Sequence, residues 1–302
     1  MKTKAGYVTI IGKPNAGKST LMNALMGEKL SIVTSKAQTT RKRILGILSK
    51  EDYQIVFLDT PGILNPQYLL QEKMMEYVNR SVRDGDVILL LVDISEDRDG
   101  SKLAKDDKIM GVLKNYSGKM ILLINKIDLS NEKEVEAIMK SFMETTGLET
   151  VIPISALKNF NTERIIQEVV DRLPEHPKFY PDDQIAEDPE RFFVEEIIRG
   201  KIFAIYSDEV PYSCEVGIEE FKERENNKDY ISAFIYVERE SQKPIIIGKG
   251  GETIKRLGKY SREAIEEFLQ REVYLELRVK VRAKWRSEEK YLRNFGYSTD
   301  ND

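Results

Sequence analysis

The chain has 302 residues, of which 41% are hydrophobic and 32% charged, enough apolar material for about two buried cores beneath a charged surface. Its net charge of −4 excludes a uniformly basic nucleic-acid coat, so any basic face has to be sought segment by segment. A single cysteine, Cys214, and a single histidine, His176, exclude an internal disulfide and any Cys/His metal cluster, and they fit a reducing cytoplasm.

Lys2 and Lys4 are not followed by an apolar run, so no secretory signal is expected. The longest apolar run, Val87–Val92, is too short to span a bilayer. The first apolar run, Tyr7–Ile11, reads as a buried strand. It leads into Gly12-Lys13-Pro14-Asn15-Ala16-Gly17-Lys18-Ser19, and Ser19–Met26 then reads as a helix stopping at Gly27. The pattern G-x-x-x-x-G-K-S between a strand and a helix is that of a phosphate-binding loop. Its glycines let successive N–H groups turn inward on a phosphate, and the helix N-terminus adds its positive end. Lys18 is expected to reach the β- and γ-phosphates, Ser19 to ligate Mg²⁺, and Thr20 to complete the nucleotide contacts at this loop.

The polar stretch Ser31–Arg41 has no periodicity and reads as a first switch loop, ordered when a threonine meets Mg²⁺ and the γ-phosphate. Thr40 is the expected ligand and Thr39 the alternative. Strands are expected over Arg43–Leu48 and Gln54–Asp59. The second ends in Asp59-Thr60-Pro61-Gly62, where the acid can hold Mg²⁺ through water and the Gly62 N–H can reach a γ-phosphate. Ile63 follows, where Ras-like GTPases carry a glutamine that orients the attacking water. An isoleucine cannot hydrogen-bond water. Slow, assisted hydrolysis is therefore expected, with a potassium ion held by Asn15 as one candidate aid. The segment from Ile63 to about Met74 reads as the second switch.

Farther on, helices are expected over Leu69–Arg83, Lys102–Tyr116, Glu132–Thr146 and Thr162–Leu173, alternating with strands over Val87–Asp93, Met120–Asn125 and Thr150–Ile154. This alternation predicts an α/β domain with a mostly parallel sheet, its ligand at the carboxyl ends of the strands. Asn125-Lys126-Ile127-Asp128 falls at one such end. The Asp128 carboxylate can accept from the N1–H and exocyclic amine of guanine, a donor pair that adenine lacks. Asn125 can tie the base site to the phosphate loop, the Lys126 stem can cover one ring face, and the Ser155-Ala156 backbone can close over the base. These residues together point to GTP and GDP.

Around Leu173–Pro189 four prolines bracket acidic residues without apolar periodicity. The expected division is 1–178 for the nucleotide domain, 179–190 for a linker and 191–302 for a second domain. That second domain reads as a helix from Arg191 to about Ser207, strands over Ser213–Lys222 and Asp229–Glu240 joined by the turn 225–228, and the apolar run Ile245–Ile247. Gly248-Lys249-Gly250-Gly251, a helix over Glu252–Leu269 and a last strand from Val273 to about Trp285 complete it. The order α-β-β-α-α-β, with G-x-x-G between the last two helices, predicts an α+β type II KH domain, whose G-x-x-G clamps single-stranded nucleic acid. Ile247, Gly248, Lys249, Gly250, Gly251 and Lys255 are the expected contacts. Arg278, Lys280, Arg282, Lys284 and Arg286 alternate with apolar residues and are expected to form one basic strand face. Aromatic residues of the tail, from Tyr291 to Tyr297, either stack on bases or pack on the domain.

Gly12–Ser19, Gln38-Thr39-Thr40-Arg41, Asp59–Gly62, Asn125–Asp128, Ser155-Ala156, Gly248–Gly251 and Val281–Arg286 together resemble the bacterial Era family, GTPases fused to a C-terminal KH domain. The resemblance covers nearly the whole chain, and Ile63 is normal for that family. It implies binding to the single-stranded 3′ end of 16S rRNA, a role in maturation of the 30S subunit and partial peripheral association with the inner membrane; a monomer is expected, although the sequence itself does not give the oligomeric state. Two other readings of the chain are an RNA-docking module in which GTP hydrolysis is only a slow clamp, and a membrane-surface growth regulator.

Overall fold

A computed structural model describes residues 3–34, 36–113, 116–225 and 227–297. The chain divides into two packed units, one made of residues 1–31, 40–67 and 71–187, the other of residues 32–39, 68–70 and 188–302.

The first unit is built on a six-stranded sheet of order β2-β3-β1-β4-β5-β6. Its strands are β1 (Lys4–Gly12), β2 (Ile44–Ser49), β3 (Tyr53–Asp59), β4 (Val87–Asp93), β5 (Lys119–Asn125) and β6 (Val151–Pro153). Only β2 runs antiparallel to its neighbour, β3. All seven residues of β4 are buried, as expected for a strand covered on both faces. The main helices are α1 (Lys18–Met26), α2 (Leu69–Asp84), α3 (Asp107–Leu113), α4 (Glu132–Thr146) and α5 (Thr162–Arg172). Gly27 stops α1 in the left-handed conformation (φ 71°), its N–H returning to the Asn23 carbonyl.

The continuous helix expected over Lys102–Tyr116 is corrected. One turn at Ser101–Ala104 is followed by a separate α3. Asp106 causes the break, because its Oδ1 accepts from the N–H groups of Lys108 and Ile109 and starts a new helix. Lys114 and Asn115 of that expected helix lie outside the described residues, as do Ser35 of the first switch and Asn226 of the expected turn.

The second unit carries a three-stranded sheet of order β7-β8-β9: β7 (Glu215–Lys222), β8 (Asp229–Val237) and β9 (Val273–Val281). β7 and β8 are antiparallel, and β8 and β9 parallel. Helices α6 (Glu190–Ile205), α7 (Gln242–Ile247) and α8 (Glu252–Leu269) complete the order. Val194, Ile198 and Ile202 of α6 and Leu257 and Ile265 of α8 share one core with Ile231, Ala233 and Ile235 of β8.

Three boundaries differ from expectation. β7 begins at Glu215, because Val210–Ser213, with Pro211 in its first turn, forms a helical turn. β8 ends at Val237, where the Gln242 side chain takes over the N–H groups of Glu238 and Arg239. β9 ends at Val281 rather than near Trp285. The chain turns at Lys284 (φ 55°), and Trp285 swings into the interior, fully buried, with its Nε1 donating to the Ser213 carbonyl at 2.9 Å. The tail packs on this unit. Tyr297 is buried and donates to Glu215 Oε2 at 2.6 Å, and Phe295 meets Trp285 edge-on.

Candidate nucleotide site and nucleic-acid groove

β1, β3 and β5 end at one edge of the larger sheet, and the loops leaving them bring the nucleotide motifs together. The phosphate loop turns through Asn15 (φ 64°) and Gly17 (φ 99°). A Cβ on Gly17 would lie 2.2 Å from Asn125 Nδ2, so the loop and the Asn125 side chain share a space that only glycine leaves open. Asn125 fills it by donating to the Ala16 carbonyl at 2.8 Å and accepting from the Ala156 N–H at 3.0 Å. One side chain thus links the phosphate loop, the end of β5 and the Ser155-Ala156 turn.

Lys18 is buried, with Nζ donating to the carbonyls of Gly12 (3.2 Å) and Lys13 (2.8 Å). Burial pushes its ammonium down to about 8, with the Asp59 carboxylate partly opposing the shift. Ser19 Oγ lies 2.8 Å from Thr40 Oγ1 and donates to Asp59 Oδ2 at 2.8 Å. Two hydroxyls and a carboxylate therefore meet at one point, a hard-oxygen donor set that fits Mg²⁺. Thr39 faces elsewhere, with its Oγ1 on Thr34 Oγ1 and the Lys36 carbonyl. Thr60 Oγ1 donates to the Ile10 carbonyl at 2.7 Å. Gly62 lies against the phosphate loop, where a Cβ would come within 2.7 Å of the Pro14 backbone. The Ile63 N–H donates to the Gly12 carbonyl at 3.1 Å, and its side chain is buried in the core with Ile11, Val78 and Ile88.

At the base end, Asp128 is exposed and its Oδ1 accepts from Ser155 Oγ at 2.6 Å. Lys126 (φ 66°) is held by Asp93 Oδ2 at 2.6 Å. Burial alone would raise the Asp93 carboxyl, but hydrogen bonds from Lys126 and Ser95 outweigh it and hold the group below its ordinary value.

Sequence reasoning missed three residues here. Asp93 and Asp106 each hold a motif lysine, Asp106 pairing with Lys13 at 2.8 Å. Asp93 carried a signal, since it ends a strand at the ligand edge. Asp106 carried none. The third is Lys36, in the switch segment that packs with the second unit. Its Nζ donates to the carbonyls of Phe203 (2.6 Å) and Tyr206 at the C-terminal end of α6, where a cation is favoured.

In the second unit, Gly248, Gly250 and Gly251 all have positive φ (76°, 60° and 80°). A Cβ on Gly248 would strike Thr253 Oγ1 at 2.1 Å, so that glycine closes the turn. Around Gly250 and Gly251 a Cβ would meet nothing within 4 Å, which leaves space for a ligand backbone to approach. Ile247 is half-buried at the start of this turn, Lys249 lies exposed within it, and Lys255 stands exposed on the first turn of α8.

The expected five-residue basic strand face is shortened. Arg278, Lys280 and Arg282 lie on β9 or just past it, with Lys280 over the Phe234 ring at 3.3 Å and Arg278 paired with Glu276 and Glu219. Lys284 and Arg286 fall beyond the strand, and Arg286 pairs with Glu238 and lies 4.7 Å over the Tyr68 ring. Among the described residues no helix is long and apolar enough to cross a membrane.

A family profile described as a 50S ribosome-binding GTPase matches residues 7–126, and a KH domain profile matches residues 209–286. GTPase Era of Staphylococcus haemolyticus is 42% identical over 299 residues, which is 99% of both chains. A crystal structure of Era in complex with MgGDPNP and nucleotides 1506–1542 of 16S ribosomal RNA superposes with a TM-score of 0.91 at 39% identity, over 98% of this chain and 99% of that one. An Aquifex aeolicus Era variant bound to GDP·AlF4⁻ gives 0.92 at 39% identity, over 98% and 100%. Similarity that runs through both units from end to end is a relationship of whole proteins rather than of one shared domain, and this chain belongs to the Era family of GTPases.

Proposed function

We propose that the chain is a GTP-hydrolysing switch that binds the single-stranded 3′ end of 16S rRNA through its KH domain and assists maturation of the 30S subunit. The observation that carries the RNA half is the open space above Gly250 and Gly251, beside the exposed Lys249. A phosphodiester backbone can approach there as close as main chain allows, with a cation at hand. Crosslinking the protein to RNA in cells and sequencing the bound fragments tests this. Peaks at the small-subunit 3′ end are expected, and their absence there would overturn it.

The chemistry follows from the nucleotide site. Ser19, Thr40 and Asp59 would hold Mg²⁺, which when bound neutralises charge on the β- and γ-phosphates. Lys18, now on the carbonyls of Gly12 and Lys13, exchanges them for phosphate oxygens. Gly62 presents its N–H to the γ-phosphate. Asp128 accepts from guanine, with Ser155 fixing the carboxylate, and Asn125, Lys126 and Ala156 frame the base. Gly12 to Thr20 and Asp59 to Ile63 form the rest of the GTP contact surface. Ile63 contributes nothing to water placement, so hydrolysis relies on another group, and a potassium ion at Asn15 is our candidate. Turnover compared in potassium and sodium buffers, with Asn15→Ala alongside, decides it. Equal rates in both salts would remove the cation from the mechanism.

The proposed organisation is a GTPase domain over 1–178, a linker over 179–190 and the KH domain over 191–302, in a monomer. We place the protein in the cytoplasm with a peripheral inner-membrane fraction. Co-sedimentation with vesicles of inner-membrane composition tests that fraction. Lys18→Ala separates a switch from a docking module, since full support of 30S assembly by that variant would favour docking alone.

A further inference from the structure

Lys13, the second residue of the phosphate loop, is held at both ends. Its carbonyl accepts from Lys18 Nζ at 2.8 Å and from the Ala16 N–H at 3.3 Å, and its ammonium pairs with Asp106 Oδ2 at 2.8 Å. These holds differ in what happens when phosphate arrives. Lys18 exchanges the carbonyl for phosphate oxygens, and the Ala16 contact is long and closes only the loop's own turn. The Asp106 pair needs neither to change. The next residue, Pro14, lies against Gly62, whose N–H is the one assigned to the γ-phosphate. Residues 13 and 14 therefore form the corner of the loop that faces the second switch.

Asp106 is built to be the fixed member of the pair. Its side chain is 15% exposed against 40% for Lys13, so the acid belongs to the protein's interior and the long lysine is what it steadies. Every polar group of Asp106 is engaged. Its N–H donates to the Leu103 carbonyl at 3.0 Å, and its carbonyl accepts from the Met110 N–H at 2.9 Å. Oδ1 accepts from the N–H groups of Lys108 and Ile109, which leaves Oδ2 for Lys13. On either side, Leu103 and Ile109 are buried in the same core as Ile11, the residue before the phosphate loop begins. Burial alone would raise the Asp106 carboxyl, but hydrogen bonds from Lys13, Ile109 and Lys108 outweigh it and hold the group below its ordinary value, so it stays charged.

We propose that Asp106 is a positioning residue for GTP hydrolysis: through Lys13 it ties the outer corner of the phosphate loop to the start of α3, and keeps Pro14 and Gly62 in place at the γ-phosphate while Lys18 turns to the nucleotide. The proposal deepens the reading of Gly12–Ser19 as a phosphate cradle and rests on it. Because the brace acts at the corner facing Gly62, it governs turnover rather than the hold on GDP, which lacks the γ-phosphate. A small displacement of positioned groups is enough to slow a reaction whose catalysis is mostly positioning.

The test uses the full chain. Asp106→Asn keeps an amide oxygen that can accept from the α3 N–H groups, since asparagine caps helices about as well as aspartate, and removes the charge that holds Lys13. Lys13→Met removes the partner charge and keeps an apolar stem. Each is expected to lower single-turnover GTP hydrolysis about 3- to 10-fold, between the effect of an exposed ion pair and that of a hydrogen bond to a charged group, with GDP affinity and the urea midpoint unchanged. The double variant is expected to be no slower than the slower single one, because the two substitutions remove one interaction. Asp106→Asn turning over at the unsubstituted rate, losses that multiply in the double variant, an equal loss of GDP affinity, or a slower rate that comes with a lower urea midpoint each overturn the proposal. Lys18→Ala must weaken GDP binding; if it does not, the cradle reading fails, and the brace with it.

Discussion

The hydroxyls of Ser19 and Thr40 lie 2.8 Å apart although 21 residues separate them in the chain. One belongs to the phosphate loop and the other to the polar stretch before β2, and Ser19 Oγ joins them to Asp59 by donating to its Oδ2 at 2.8 Å. Cation, γ-phosphate and switch would therefore be read through one cluster of oxygens. Thr40→Ala is expected to lower GTP hydrolysis about 10- to 100-fold, the loss of one charge-linked contact of about 1.5–3 kcal/mol, while GDP binding persists. Thr39→Ala, whose hydroxyl serves only the loop's own Thr34 and Lys36, is expected to stay close to the unsubstituted rate. Single-turnover hydrolysis of both variants checks the assignment, and a larger defect in Thr39→Ala would reverse it.

Gly17→Ala is expected to abolish nucleotide binding. Its φ of 99° is strained for alanine, and the added Cβ would displace the Asn125 amide, undoing the link from the phosphate loop to Ala156. Titration with a fluorescent GDP should show no saturable binding.

Asp128→Asn is expected to exchange guanine preference for xanthine preference. The carboxylate accepts two hydrogen bonds, whereas an amide offers one donor and one acceptor, which suits a base with a carbonyl in place of the amine. A discrimination change of up to about 10⁴-fold follows from leaving a hydrogen-bonding group of the mismatched base or side chain unpaired. Competition between GTP and XTP measures it.

Gly62→Ala is expected to separate hydrolysis from GDP binding. Backbone atoms of Pro14 stand 2.7 Å from the new Cβ and cannot yield as a flexible side chain would, so the second switch must lift from the phosphate loop. Turnover should fall about 100-fold if this N–H acts on the γ-phosphate, while GDP affinity holds. Unchanged turnover would remove Gly62 from the catalytic set.

Trp285→Ala is expected to destabilise the KH unit by about 3–5 kcal/mol. The ring is fully buried, and its indole N–H satisfies the Ser213 carbonyl. Urea unfolding followed by near-ultraviolet circular dichroism should show the loss.

The nucleotide motifs were legible because each is a property of a short piece of chain. A glycine-rich turn between a buried strand and a helix makes an anion cradle wherever it sits, and an acid at a strand's carboxyl end is placed by the strand itself. The same holds for the KH turn, whose glycines take the left-handed conformations that their side chains' absence permits. The helix expected over Lys102–Tyr116 was less legible, because a single side chain, Asp106, can stop one helix and start another within an otherwise periodic run.

Sequence alone determined the order of strands and helices and the glycine-rich turns at Gly12–Ser19 and Gly248–Gly251, and it supplies the grounds for the proposed roles of Asp128 in guanine preference and of Ile63 in assisted hydrolysis. Tertiary structure decided which of two adjacent threonines meets Ser19, because a loop without periodicity has no face until distant residues give it one. It decided that Lys13 answers to Asp106 and Lys126 to Asp93, partners that only the folded sheet brings within reach. It also decided where the last strand ends. Alternation of charge continues past Val281, but burying the Trp285 ring outweighs continuing the strand, so the basic row breaks and Arg286 turns to Glu238.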